Sequence, residues 1–443
     1  MQQSFVERDA TGGRAVNQES LVSVPMQWAM FVVVAIFVVL GISVDKIAGI
    51  SYHLMLLLGL IAVFLRGRRS INSLLHSCRT LWPLYLSASG FTICLILSQF
   101  LIGNGSPKDF NFALRFQGFF LLFWFFCHFP PRFFRWLGWG FTFGALIGAA
   151  NTFWMTKGGV LRDHPNFMPL IAYTELSAIL GALAVFSIKW DESLPSRIRK
   201  HAIALKLLAG LSGLYSIYLY QSRGAWLAIP VFVIAACVLF IPGTHVVRKI
   251  GAALLVMIAI GIVYGSTDSV KQRLHAVQTD VVAFENKSDV NTSLGARFQL
   301  WKGSLRLYRE NMLIGVGING YSRALSRLAD QGVISRDSAH YPHSHNEVLF
   351  TAVLFGTCGI AALLALYFGP VVYFIRYARA QPLPAKVAAV MGVTLCLAFV
   401  SDGLVDVMFI WRECGLFYTV LLAVLMAALF RFRQPAPDFI ARA

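Results

Sequence analysis

Long apolar stretches, each closed by a short polar segment, fill most of this chain. A helix that crosses a bilayer needs about 20 mainly apolar residues. About twelve stretches meet that pattern: 25–43, 47–65, 81–102, 112–129, 133–155, 166–188, 203–220, 223–241, 247–265, 346–375, 384–408 and 411–431. The pattern predicts an all-α polytopic membrane protein with about twelve transmembrane helices and one large loop, residues 266–345, itself mainly helical. The organisation that follows is a tail at 1–24, nine helices within 25–265, the loop at 266–345, three helices within 346–431 and a second tail at 432–443.

Composition points the same way. Hydrophobic residues make up 57% of the chain and charged residues 13%, against roughly 25% charged in a soluble domain. Apolar surface on that scale needs lipid as its solvent. The first apolar run follows a polar start and has no small-residue cleavage site behind it, so it reads as a signal anchor. The cysteines (Cys78, Cys94, Cys127, Cys237, Cys358, Cys396 and Cys414) lie in or beside apolar stretches and form no CxxC, and they read as buried small hydrophobes.

Charge orients the bundle. With the N-terminus in the cytoplasm, the inside loops hold Arg66, Arg68, Arg69 and Arg79, then Arg132 and Arg135, then Lys189, Arg197, Arg199 and Lys200. Arg248 and Lys249, then Arg376, Arg379 and Lys386, continue the series. The opposite loops carry scattered single charges. This is a positive-inside pattern, and it puts residues 266–345 on the outside, the periplasm of a bacterium. Much of the +17 net charge is this topology signal. It is no nucleic-acid footprint, because it is split over many short loops.

The loop holds most of the polar chemistry. Leu294, Phe298, Trp301, Leu305 and Tyr308 recur at three- and four-residue steps, which predicts a helix over 293–311 with Ser293 as N-cap. Lys302, Arg306 and Arg309 fall on another face of it. Such a helix would lie at the membrane surface with Trp301 among the headgroups, either as a docked amphipathic helix or as a lid whose cations face a phosphate-bearing substrate. Gly315, Gly317 and Gly320 form a literal GxGxxG. A dinucleotide site needs that motif between a strand and a helix. Here it follows a helix, and the glycines read as a turn.

His340, His343 and His345 close the loop, with Asn346 where the tenth span begins. Three readings stay open: a zinc site, although the spacing is not that of helical HExxH and no nearby carboxylate completes it; wet imidazoles at a helix end; and a general base for a sugar hydroxyl. Arg223, in a very short loop, either snorkels to headgroups or binds an anion. Within spans, Glu175, Asp402, Asp406 and Arg115 face a cavity or pair with one another. An interhelical Asp–Arg pair is the favoured reading of Asp402 and Asp406.

The segments SRGAW, GARFQLW, NMLIGVGINGY and HSHNEVLFTAVLFGTCGI, in that order over about residues 205–365, resemble the O-antigen ligase and O-antigen polymerase superfamily of bacterial inner-membrane glycosyltransferases. The resemblance implies a GT-C-like fold, no cofactor, and metal-independent, inverting transfer from an undecaprenyl-pyrophosphate-linked glycan. In a ligase the acceptor is a sugar hydroxyl of lipid A–core oligosaccharide. The site would face the periplasm from a multi-pass protein of the inner membrane, with membrane lipids around it and no nucleic-acid partner. The family arginines map onto Arg223 and Arg297 and the family histidine onto His345, with His343 close by and the choice between them open. Arg162 and His164, in RDHPN, also look like the family. Together with His340, His343, Arg115 and Arg306 they are candidate substrate-binding residues. A single large loop favours the ligase over the polymerase, which the resemblance associates with two. A secondary transporter, the reading from another class, predicts a pseudo-repeat and broken helices near mid-membrane. The sequence shows no convincing repeat.

Overall fold

The computed structural model describes residues 21–157, 167–220, 224–243, 245–266, 268–286, 289–378 and 382–433. Its α-helices are α1 (Val24–Leu40), α2 (Ile47–Arg66), α3 (Arg68–Thr80), α4 (Trp82–Ile102), α5 (Phe110–Phe126), α6 (Pro131–Thr156), α7 (Leu170–Phe186), α8 (Ser196–Tyr220) and α9 (Ile229–Phe240). They continue as α10 (Val246–Gly265), α11 (Asp268–Glu285), α12 (Ser293–Glu310), α13 (Tyr321–Asp330), α14 (Arg336–Ala339), α15 (Glu347–Ala378), α16 (Leu383–Gly403) and α17 (Arg412–Arg433). No strand occurs among the described residues. A helix occupies each stretch read as a span. Among the described residues, seven helices are long and apolar enough to cross a membrane: α2, α4, α7 with its following turn, α8, α15, α16 and α17. Val24–Leu40 and Ala225–Phe240 are shorter apolar helices. The chain is a polytopic all-α membrane protein.

Local chemistry sets the helix starts. Prolines stand in the first turns of α1, α4, α6, α9 and α16, where a missing N–H breaks no intrahelical bond. The pattern did not predict α3. Its protein-facing residues are Ser70, Ser73 and Ser77, while Ile71 and Leu75 are exposed. The indole of Trp124 donates to Ser73 Oγ at 3.2 Å, and Ser77 shares a 2.9 Å bond with the Tyr85 hydroxyl. A helix that turns serines inward and aliphatics outward suits an apolar solvent, and its arginines suit the membrane surface.

α17 runs through the middle of the bundle, against α5 and α16, and 94% of its apolar window is buried. α15 packs on α4 and α16 and carries the loop on its N-terminal part. It is broken at Gly356, which has φ 63° and ψ −152°. The break leaves the carbonyls of Val353 and Leu354 without their helical donors. The amides of Val316 and Gly317 supply replacements at 2.8 and 3.0 Å, and the Thr357 amide donates to Met312 O at 2.7 Å. Irregular backbone is tolerated at that depth because protein, rather than lipid, satisfies it.

Those bonds explain the glycine motif, which is a turn with no strand beside it. Gly315 and Gly317 sit at φ 75° and 78°. A Cβ on Gly317 would lie 2.2 Å from Asn104 Oδ1, and one on Gly315 2.4 Å from Val353 O. Asn104 Nδ2 donates to Val316 O at 2.7 Å, and Asn319 Nδ2 donates to Asn104 O and to Asp109 Oδ2. The turn is thereby fastened to the start of α5 and to the break in α15. The transporter reading expected broken helices. The one break in α15 is filled by the loop's own backbone.

Candidate functional site

The site lies where the entry to α15 meets the segment between α16 and α17. Asn346 caps α15 by accepting the Leu349 amide at 2.9 Å, and its Nδ2 donates to Leu404 O at 3.0 Å. One residue on, Glu347 accepts the Phe409 amide at 2.9 Å. Ser344 Oγ donates to Asn346 O at 2.8 Å, and Trp301 of α12 donates to Ser344 O at 3.1 Å. Residues 344–347 are thus held from three directions. His345, in their midst, takes φ 51°, a conformation that non-glycine residues rarely adopt and that tends to mark functional positions.

That backbone presents His345 to Asp406. Nδ1 of His345 lies 3.2 Å from Asp406 Oδ1, which also accepts the Val407 amide at 2.8 Å. Asp406 is buried. Burial alone would raise its carboxyl pKa, but the His345 hydrogen bond, the nearby His343 and the Val407 amide hold it below the usual range. An ionised Asp406 can only accept, so His345 Nδ1 carries the proton, and in the neutral imidazole Nε2 carries the lone pair. His343 differs. Its Nδ1 accepts the His345 amide at 3.3 Å, and its side chain is 7% exposed against 20% for His345. Burial, opposed by Asp406 and reinforced by His345 and Arg297, lowers its pKa to about 4, so it is neutral at pH 7.

Asp406 corrects two sequence expectations. Among the described residues the favoured Asp–Arg pairing does not form with it: Arg412 pairs with Glu413 at 2.7 Å, while Asp406 faces the imidazoles. The missing carboxylate near the histidines also exists, but it comes from about sixty residues downstream. His343, His345 and Asp406 place one potential ligand atom each within 4.8 Å of one another. The three-histidine set is not assembled. His340 is exposed and spends Nδ1 on Arg336 O at 2.8 Å.

Arg297, on α12, is half-buried and interacts electrostatically with His343 and Glu175. Glu175 (α7) and Asp402 (α16) are buried, and no oxygen of either carboxyl has a hydrogen-bond partner among the described residues. Gly224, which follows Arg223 in sequence, packs against Glu175 and Val405. A Cβ there would stand 2.6 Å from Val405 and 3.4 Å from Glu175 Oε1. Arg223, Arg162 and His164 lie outside the described residues. Arg306 is not brought to the site. It is exposed, paired with Glu310 at 3.1 Å and bonded to Gln331. Arg115 lines a cavity beside the histidine segment.

α12 itself packs differently from the expected amphipathic arrangement. Thr292, rather than Ser293, is the cap, its Oγ1 accepting the Gly295 amide at 3.1 Å. The buried face is Gly295, Ala296, Gln299, Leu300, Gly303, Ser304 and Leu307. Small residues allow close approach to the neighbouring helices, so the aromatic stripe is left half-buried and free to make contacts such as the one from Trp301.

The fold and this cluster define a polytopic membrane protein whose ionisable side chains gather at the end of the bundle where the long loop docks. Residues 208–364 match the family model described as O-Antigen ligase. The chain is 26% identical over 219 residues to the O-antigen ligase of Escherichia coli strain K12, covering 48% of this chain and 49% of that protein. It is 25% identical over 251 residues to an uncharacterized protein of Haemophilus influenzae strain Rd, covering 56% of this chain and 61% of that protein. These aligned portions span less than two thirds of either relative. Over residues 208–364 the chain is thus similar to the O-antigen ligase family. The matched region holds Arg223, Arg297, His343 and His345. Asp406, Glu175 and Arg115 lie beyond it.

Proposed function

We propose that the protein is an O-antigen ligase of the bacterial inner membrane. It transfers an undecaprenyl-pyrophosphate-linked glycan to a sugar hydroxyl of lipid A–core oligosaccharide, in a site facing the periplasm. The observation that carries this reading is the His345–Asp406 pair, which frees His345 Nε2 as a base, with Arg297 acting electrostatically on the neighbouring His343. The acceptor oxygen attacks the anomeric carbon of the donor sugar. The carbon–oxygen bond to pyrophosphate breaks, and the leaving group keeps the electron pair. The hydroxyl proton passes to His345 Nε2, and Asp406 stabilises the imidazolium. One displacement at that carbon inverts its configuration.

Pyrophosphate leaves well only if its growing charge is met. Arg297 and Arg223 are assigned that role, because guanidinium forks bind phosphate oxygens bidentately. The donor is already activated, so no nucleotide site is required. Metal independence is part of the proposal. It rests on charge: guanidinium groups can meet the pyrophosphate charge that a metal would otherwise meet.

The test uses purified protein, polyprenyl-pyrophosphate glycan and lipid A–core, with and without chelator. Transfer that survives chelation and disappears in His345→Ala, with donor still bound, is the expected result. Loss on chelation, restored by one metal, would instead assign His343, His345 and Asp406 to a metal.

A further inference from the structure

Next to the imidazoles is a cavity of about 280 Å³. Phe112, Arg115, Tyr321, Ser322, Pro342 and Phe350 are among its lining residues. It adjoins the site directly: Pro342 precedes His343, and the Phe350 ring lies 6.4 Å from the His343 ring. The segment between α16 and α17 links the cavity to the imidazoles. Val405 touches Gly224, Asp406 holds His345, and the carbonyls of Phe409 and Ile410 face Arg115.

Arg115 is the unusual element. It sits within α5, where a charge is expected to pair or to face a cavity. Among the described residues it has no carboxylate within ion-pair distance. Its hydrogen bonds are long ones, 3.4 and 3.5 Å, both from Nη1 to carbonyls. The rest of its guanidinium fork is available. The aromatic rings suit the apolar C–H face of a sugar, and Asn319 and Ser322 add polar groups at the loop edge. The volume is near the lower limit of small-molecule pockets and suits a single ring with one substituent.

We propose, building on the ligase reading, that this cavity seats an anionic sugar of the acceptor, one bearing a phosphate or carboxylate that Arg115 binds. The acceptor would then approach His345 from this cavity.

The experiment compares lipid A–core before and after phosphatase treatment, and before and after carboxyl reduction, as acceptors for wild type, Arg115→Gln and Ser322→Phe. A charge-assisted contact predicts that wild type prefers the charged acceptor by about tenfold or more in kcat/KM. In Arg115→Gln that preference collapses toward one, while the KM for the lipid-linked donor stays the same. Ser322→Phe, at the exposed loop edge, leaves α5 intact and raises acceptor KM by narrowing the mouth. Arg115→Gln with undiminished preference overturns the proposal. So does a loss that appears in donor KM, which would make this a pyrophosphate site, or an equal loss with every acceptor, which would make Arg115 structural. If wild type shows no transfer, it is the ligase reading that fails. Direct binding of the charged core oligosaccharide to wild type and Arg115→Gln then tests the cavity alone, and equal binding overturns it.

Discussion

Replacing Asp406 separates two roles that its position allows: orienting His345 and stabilising its charged form. Both hydrogen bonds to the side chain end on one oxygen, Oδ1, at 3.2 Å from His345 Nδ1 and 2.8 Å from the Val407 amide. In Asp406→Asn the amide oxygen can keep both bonds and the tautomer of His345. Only the charge is lost. Opposite unit charges about 4 Å apart interact by about 4 kcal/mol at an effective dielectric constant near 20. If about half the proton is transferred in the transition state, about 2 kcal/mol is lost, or roughly 30-fold in rate. Asp406→Ala removes the acceptor as well, so His345 can rotate or change tautomer, and the loss should approach the roughly 10²–10⁴-fold worth of a general base. The assay is single-turnover glycan transfer with saturating donor, alongside donor binding for each variant. An Asp406→Asn rate within threefold of wild type would refute the charge argument. Equal losses in transfer and in donor binding would refute the whole assignment of Asp406 to the base.

Arg297→Lys should not restore the transfer lost in Arg297→Ala, because lysine keeps the charge but not the bidentate fork; rescue to more than a tenth of wild-type rate would argue for a simple field effect. For His343, an unfolded imidazole charges near pH 6.5, whereas the folded one resists protonation down to about 4. The unfolded chain therefore binds the extra proton in that window, and stability falls as pH drops from about 6.5 to about 4. His343→Gln should flatten this slope in thermal melts in detergent, and parallel slopes would count against it. Gly317→Ala should destabilise the protein by about 1–3 kcal/mol, since φ stays positive and the new Cβ meets Asn104; an unchanged melting temperature would show that the turn can yield.

Much of this protein was legible in its sequence because lipid imposes a simple rule. A backbone in hydrocarbon must bond to itself, so apolar stretches of span length become helices, and all the stretches picked out by length and polarity are helical here. The local chemistry of Gly315 and Gly317 was legible too, since a glycine-rich segment after a helix can only turn. Hydropathy could not rank the helices. α2 and α17 are similarly apolar, yet 39% of one window and 94% of the other is buried, because lipid and protein interior solvate aliphatic side chains alike. The same ambiguity hid α3, whose serines face inward, and misassigned the buried face of α12, where small residues and leucines are buried and the aromatic ones half-buried.

The site divides along the same line. Residue type alone marked His345, His343 and Arg297 as chemistry in an apolar chain, and local order joined the two imidazoles. Which of them is free to act depends on hydrogen bonds that come from elsewhere. Asp406 arrives from beyond α16 to engage His345 Nδ1, and a backbone amide occupies His343. His340 and Arg306, equally conspicuous in sequence, are spent on their own helix ends and surface partners. Proximity across sixty residues is set by the packing of α15, α16 and α17, and no spacing along the chain encodes it.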